Sequence, residues 1–533
     1  MRKSMKFYLG GAILLALPLF LTSCEGTLDD VFGEWSRPTG NNSNTDSDKD
    51  KEKEHSNQYL VYSYSTALDS VWTDIPSNAT VWTSDLTEFE LAAGTYVVAG
   101  ADIKCAGQLV LKGDVNIILK DKCKLTVKDG ITYDTTGSLK VYGQGISSSM
   151  GQLIVNNDTP TGPVDYTETN SIIAQTIEIH GGLVDARTET GAASDLGGHG
   201  ILASSNLKIF NGKIIALGTK REGIVTDPCD MFIYGGDIDA KSTSTTGSPC
   251  INCQGNLTIS GGIVNAAPAS AAATGVTGIY LPSTKTLTIS GGKVTATGSV
   301  NMEGIYADII NITGGTVSAY NGAGGSGAIK AETSIKIEGS ETQVTATGAN
   351  DDGTNRSSAG IETLSLTING GTVTVTGGNG GAFFDNGAPA VWCIDGSNPG
   401  PLKVTGGTLI ATGGNGSDGD ATNNNGGKGW MGISAAPIDF AGGTVIATGG
   451  KGGNGYTTIG SEGDGGTGGA GIDCKGDIEV NASASVTAIG GNGGNVLTGS
   501  SRTPGDGGAA LIKTGTLTGT LTETNGTIGS KSL

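Results

Sequence analysis

The line "LTISGGKVTATG" at residues 287–298 alternates apolar and polar residues, breaks at a Gly pair and alternates again. Near copies recur along the chain: "GGLVDA" from 181, "GGDIDA" from 235, "GGIVNA" from 261, "GGTVSA" from 314, "GGTVTV" from 370, "GGTLIA" from 406 and "GGTVIA" from 442. Looser forms stand at 211 ("NGKIIA"), 341 ("ETQVTA") and 483 ("SASVTA"). Their spacing runs from 23 to 41 residues and averages near 30, the mark of stacked structural repeats. A second motif precedes each line, as in "GHGILA", "REGIVT", "VTGIYL", "MEGIYA", "SAGIET" and "GAGIDC". One period therefore reads as a Gly-Ile-x-Ala strand, a turn, a Leu-x-Ile strand, a Gly-Gly corner, an x-Val-x-Ala strand and a loop.

Three short period-2 strands rich in Ile, Val and Thr leave no helical segment in the repeat. Such a unit cannot bury its own inward face, whereas stacked copies can, each strand pairing with its counterpart in the next turn. The expectation is an all-β, right-handed parallel β-helix of about 12–15 turns. Residues 106–533 would form the coil and 59–105 an N-terminal cap with the first strands. A β-sandwich is the alternative. Gly-rich stretches such as "GGNGSDGDATNNNGGKG" fill the longer gaps and read as flexible, solvated loops.

Ahead of the repeats, Arg2, Lys3 and Lys6 precede a short apolar run and "LTSC". This resembles a bacterial lipoprotein signal over residues 1–23, with Cys24 acylated. Glu25 after the Cys points to the outer membrane, and Asp29 with Asp30 to exposure at the cell surface. Residues 24–58 hold too little apolar surface to fold and read as a tether. A net charge of −19 excludes nucleic acid as a partner and leaves the lipid anchor as the means of membrane attachment.

In a stack, each repeat position becomes a row with about 4.8 Å between turns. The fourth position of Gly-Ile-x-Ala points inward and puts Cys253, Cys393 and Cys474 in the core as small apolar residues. Cys105 with Cys123 is the one pair suspected of a disulfide, and "CINC" (250–253) is the one short motif that invites a redox or zinc reading. The third position points outward and lines up Tyr280, Tyr306, Lys330, Glu362 and Trp392. Ring faces suit the C–H faces of sugars, and Lys and Glu suit hydroxyls, so this row is the candidate carbohydrate track. The alternative is a covered face on which the aromatics only pack.

"GGHG" (197–200) resembles the Gly-His-Gly element of pectin hydrolases, but the other elements of that family are missing, so His199 reads as a turn residue. No catalytic residue is assigned, and a polysaccharide lyase or glycoside hydrolase is the least favoured reading. No cofactor is assigned with certainty; calcium is a candidate at Asp351 and Asp352 in "DDGT" and at Asp418 in "GGNGSD". The Gly-Gly line, the Gly-Ile-x-Ala strand and "GDVNIILKDKCKLTV" together resemble a family of bacterial carbohydrate-binding β-helix proteins of the Bacteroides type, over residues 80–530. The resemblance implies a polysaccharide ligand, acidic or neutral, and calcium held by Asp-Gly loops near Gly-Ile strands. The alternative function is a structural adhesin or spacer that binds another cell-surface protein or a host surface.

Overall fold

The computed structural model describes residues 55–145, 149–157, 170–188, 197–270, 273–382, 385–395, 398–458 and 461–531. The leader, Cys24 and the tether as far as residue 54 lie outside the described residues. Among the described residues there are strands and turns and no helix, and no segment forms a helix long and apolar enough to cross a membrane.

One period shows how the fold is made. Strand Ile305–Ile312 carries the Gly-Ile and Ile-x-Ile segments in succession, with a register shift between Ala307 and Ile309. It pairs in parallel with Ile279–Tyr280 and Thr286–Ile289 of the preceding repeat and with Gly327–Ile337 of the next. Across the Gly-Gly corner, Thr316–Tyr320 pairs in parallel with Lys293–Thr297 and Gln343–Thr347. The corner needs its second glycine: Gly292 has φ +79°, and a Cβ there would press on the Gly262 carbonyl. Repetition gives one parallel sheet of corner strands from Ile103–Cys105 to Thr522–Thr524 and a longer sheet that holds the other two segments. The fold is an all-β, parallel, solenoid-like stack.

Inward positions follow the period of two. In this turn Ile305, Ala307, Ile310, Ile312, Val317 and Ala319 are all fully buried, and the same columns continue up and down the stack. Cys253, Cys393 and Cys474 lie in the core column with Ala203 and Ala307, and burial pushes the Cys393 thiol up to about 12. Cys105 and Cys123 are free thiols, contrary to the suspected disulfide. The register sets Cys105 opposite Val127, so Cys123 stands four positions away along the strand, roughly 13 Å and out of bridging reach.

The segment that precedes the stack divides in two. Thr80–Trp82 and Gly94–Val98 extend the parallel sheet, with Trp82 and Leu86 against the core. Gln58–Tyr64 and Leu68–Asp74 form an antiparallel hairpin that lies along the flank. There Tyr142, His180, Phe210 and Tyr234 from successive turns stack at 4.5–5.0 Å, and Tyr59 and Tyr64 pack on Tyr142 and Tyr234. The Tyr62 amide donates to Nδ1 of His180 (3.1 Å), so the ring carries its proton on Nε2, 3.5 Å from the Glu178 carboxylate. His180, then Lys140 and Lys208, hold Glu178 well below its ordinary value of 4.5, at about 2. Folding therefore gains from ionised Glu178 fully above pH 4.5, and the gain disappears as pH falls towards 2. Glu178→Gln is expected to remove on the order of 2 kcal/mol of acid sensitivity in that window, read by thermal unfolding at stepped pH.

The Gly-rich stretches are not flexible loops. In one repeat, residues 449–455 run outward and 463–469 return beside them, with Gly466 and Gly469 donating to the carbonyls of Gly453 and Gly450 (both 2.8 Å). Each leg bonds equally to neighbouring turns: Gly453 donates to Gly427 O (2.9 Å), and Gly452 to Asn492 O (2.8 Å). The third amide of each triplet goes to a side chain, as where Asn454 N–H donates to Asp418 Oδ1 (2.7 Å) and Asn495 N–H to Asn454 Oδ1 (2.9 Å). The bonds recur every three residues, the period of a polyproline II-type chain, and none of these glycines has a positive φ. The result is a two-layer slab of extended legs projecting from the stack. Its glycines are required by space: a Cβ on Gly453 would collide with the Ser417 carbonyl, and one on Gly466 with that of Gly427. Gly453→Ala is expected to cost about 2–3 kcal/mol and to open the slab locally, seen as faster amide exchange over 413–469 while the core strands keep their protection.

Candidate functional site

The outward row forms because the residue that follows the buried Ile or Val of this strand (Ile251, Ile279, Ile305, Ile329, Ile361 and Val391) faces away from the core on each of these turns. Pairing aligns Asn252 with Tyr280, Tyr280 with Tyr306, Tyr306 with Lys330, Lys330 with Glu362, Glu362 with Trp392 and Trp392 with Ser434. The five sequence candidates are thus consecutive neighbours, and all are half-buried.

Alignment also makes these side chains partners of one another. Tyr280 and Tyr306 stack with ring centroids 5.3 Å apart and planes 12° apart, and the Lys330 ammonium sits 5.8 Å from the Tyr306 ring centre. Between the tyrosines the ring faces are occupied, and their edges line the track. The open ring faces expected from the sequence are not available there, because identical positions 4.8 Å apart, roughly, bring rings face to face. The Tyr306 hydroxyl donates to Glu332 (2.8 Å), and Lys330 lies 3.4 Å from Glu362 and 3.6 Å from Glu332.

Burial alone would lower Lys330, yet Glu362, Glu332 and Glu303 hold its pKa above the ordinary value. Burial raises the pKa of Glu362, with Lys330 opposing and Glu303 and Glu332 reinforcing the rise. One cation therefore stands among three carboxylates. Glu303 and Glu332 were missed in the sequence because neither occupies the aligned position: one precedes the Gly-Ile segment and the other follows it.

Further along the same face, His199 Nδ1 meets Glu222 Oε2 at 3.0 Å, Asn252 Nδ2 donates to Glu222 Oε1 (2.9 Å), and Gln254 donates to Asn252 (2.8 Å). His199, Glu222 and Asn252 are all buried. Burial opposes ionisation of Glu222, but His199 and Asn252 hold its pKa below the ordinary value. His199 is thus tied to the next turn's carboxylate, a role that local reading as a turn residue did not reveal.

The calcium candidates do not converge. Asp351 and Asp352 cap their own loop, accepting from the amides of Gly353 (2.7 Å) and of Thr354 and Asn355 (2.9 and 2.7 Å). These bonds draw Asp352 down to about 2. Asp418 is part of the slab through the Asn454 amide. Among the described residues no group of three His, Cys, Asp or Glu side chains is placed to hold a metal ion, Cys250 and Cys253 of "CINC" included.

Lys330→Met leaves Glu303, Glu332 and Glu362 facing one another without their cation. We expect a loss of about 2 kcal/mol at pH 7, largely regained on acidification as Glu362 protonates, measured by thermal unfolding between pH 7 and 4. Comparison with known proteins finds no matching family model, no matching curated protein and no matching solved structure.

Proposed function

We propose that this chain is a non-catalytic carbohydrate-binding protein of the bacterial cell envelope, acylated at Cys24, held on the tether and attached to the outer membrane, with its body a right-handed parallel β-helix. The resemblance of its repeats to the Bacteroides-type carbohydrate-binding family supports that reading. The observation that carries it is the aligned row from Tyr280 to Trp392, where Tyr edges, one ammonium, flanking carboxylates and an indole follow one another on successive turns. A straight polysaccharide laid along the stack meets a new side chain about every 4.8 Å. Lys330 and Glu362 exchange hydrogen bonds with hydroxyls, and Trp392, next to Ser434 rather than another ring, offers apolar contact. No acid–base pair is assigned and no bond is broken.

The adhesin or spacer reading draws on the slab, a rigid projection with an acidic chain behind it. The two readings separate by co-sedimentation of the full-length protein in detergent with acidic and neutral insoluble polysaccharides, with and without chelator. Tyr306→Ala and Trp392→Ala are each expected to weaken retention roughly tenfold without loss of fold. Unchanged retention removes the row as the site, and release of new reducing ends would make the protein an enzyme.

A further inference from the structure

The slab face made by the outgoing legs carries a second feature. Asn415, Asp418, Lys451, Asn454, Asn492 and Asn495 line a polar groove of about 590 Å³, in which Ile528 is the one large apolar side chain. Each asparagine is fixed by its own oxygen: Asn415 Oδ1 accepts from Lys451 N–H (2.8 Å), Asn454 Oδ1 from Asn495 N–H (2.9 Å), Asn492 Oδ1 from Thr527 N–H (3.0 Å), and Asn495 Oδ1 from Ser530 N–H (2.7 Å). Their Nδ2 groups make no hydrogen bond to another described residue. The groove thus presents four oriented amide donors: Asn492 and Asn495 about 9 Å apart along one leg, Asn454 about 4.8 Å from Asn495 on the neighbouring leg, and Asn415 two legs from Asn492 with Lys451 between them.

We propose that this groove is a second binding site, for a neutral, hydroxyl-rich, extended polysaccharide. It rests on the glycan-binding reading above but uses a different face and different chemistry. The donors are held before the ligand arrives, so binding orders few side chains, and several weak hydrogen bonds along one polymer add. A protein partner would need a cluster of apolar or aromatic anchors at the centre of its interface, and this groove offers Ile528 alone. An anionic polymer would meet Asp418 and a chain of net charge −19.

The slab supplies its own clean substitution. Asp418 and Asp464 already hold the next leg's amide (2.7 and 2.8 Å), so Asn→Asp keeps the ladder acceptor and removes only the outward donor. N454D/N495D tests the groove. N386D/N425D, on the returning legs where the same ladder recurs, adds equal charge to the other face. The full-length protein and both variants are compared by affinity electrophoresis in gels containing unbranched glucans, mannans, xylans or galactans, with melting curves to check the fold.

The expected result is retention of the unsubstituted protein by at least one polymer, reduced about tenfold in N454D/N495D and unchanged in N386D/N425D. Equal retention of all three, or equal loss in both variants, overturns the proposal. So does the absence of retention by every neutral polymer, whereas failure of the row is read separately, from the Tyr306 and Trp392 variants and the acidic polysaccharides.

Discussion

The stack depends on the parallel, in-register pairing of each repeat strand with its own copy one repeat away. Ile305 lies against Ile279 and Ile329, and Val317 against Val294 and Val344, so in these inward columns like stacks on like. A one-residue slip would turn the apolar columns outward, so the buried face locks the register. Locked register then makes an alignment of the repeats a map of the surface.

The slab shows what that scaffold makes possible. A glycine leg buries almost no apolar surface, and ordering each residue costs about 1–2 kcal/mol of backbone entropy against a net gain near 1 kcal/mol per hydrogen bond. Such a leg would not hold in isolation. Here both ends of residues 449–469 are rooted in core strands, Gly443–Thr448 before and Ile472–Cys474 after, and each leg has neighbours on several sides. Amide accounting is complete along the outgoing leg because Asn and Asp side chains take the one N–H in three that no carbonyl reaches.

Both candidate surfaces follow from the same repetition, with opposite consequences. On the Gly-Ile face, large neighbours at the spacing of strands consume each other: Tyr280 stacks on Tyr306, and Lys330 is held by Glu362 and Glu332. On the slab, the small asparagine spends its oxygen on the next leg and keeps its nitrogen for solvent. The flank is the third use of the spacing, where Tyr142, His180, Phe210 and Tyr234 make a ladder on which the hairpin rests.

The repeat by itself determined the strands, the inward columns, the buried thiols of Cys253, Cys393 and Cys474, and the succession Tyr280, Tyr306, Lys330, Glu362, Trp392, because period-2 alternation and self-similarity are local properties of a chain. Tertiary structure alone decided the rest. Glu222 reaches His199 only across turns, Glu332 reaches Tyr306 only around a bend, and Cys123 misses Cys105 by register. The Gly-Gly-x runs look alike whether loose or packed, since glycine carries no side chain to record a neighbour. What settles them is the carbonyl of the adjacent leg, which comes so close that no other residue fits.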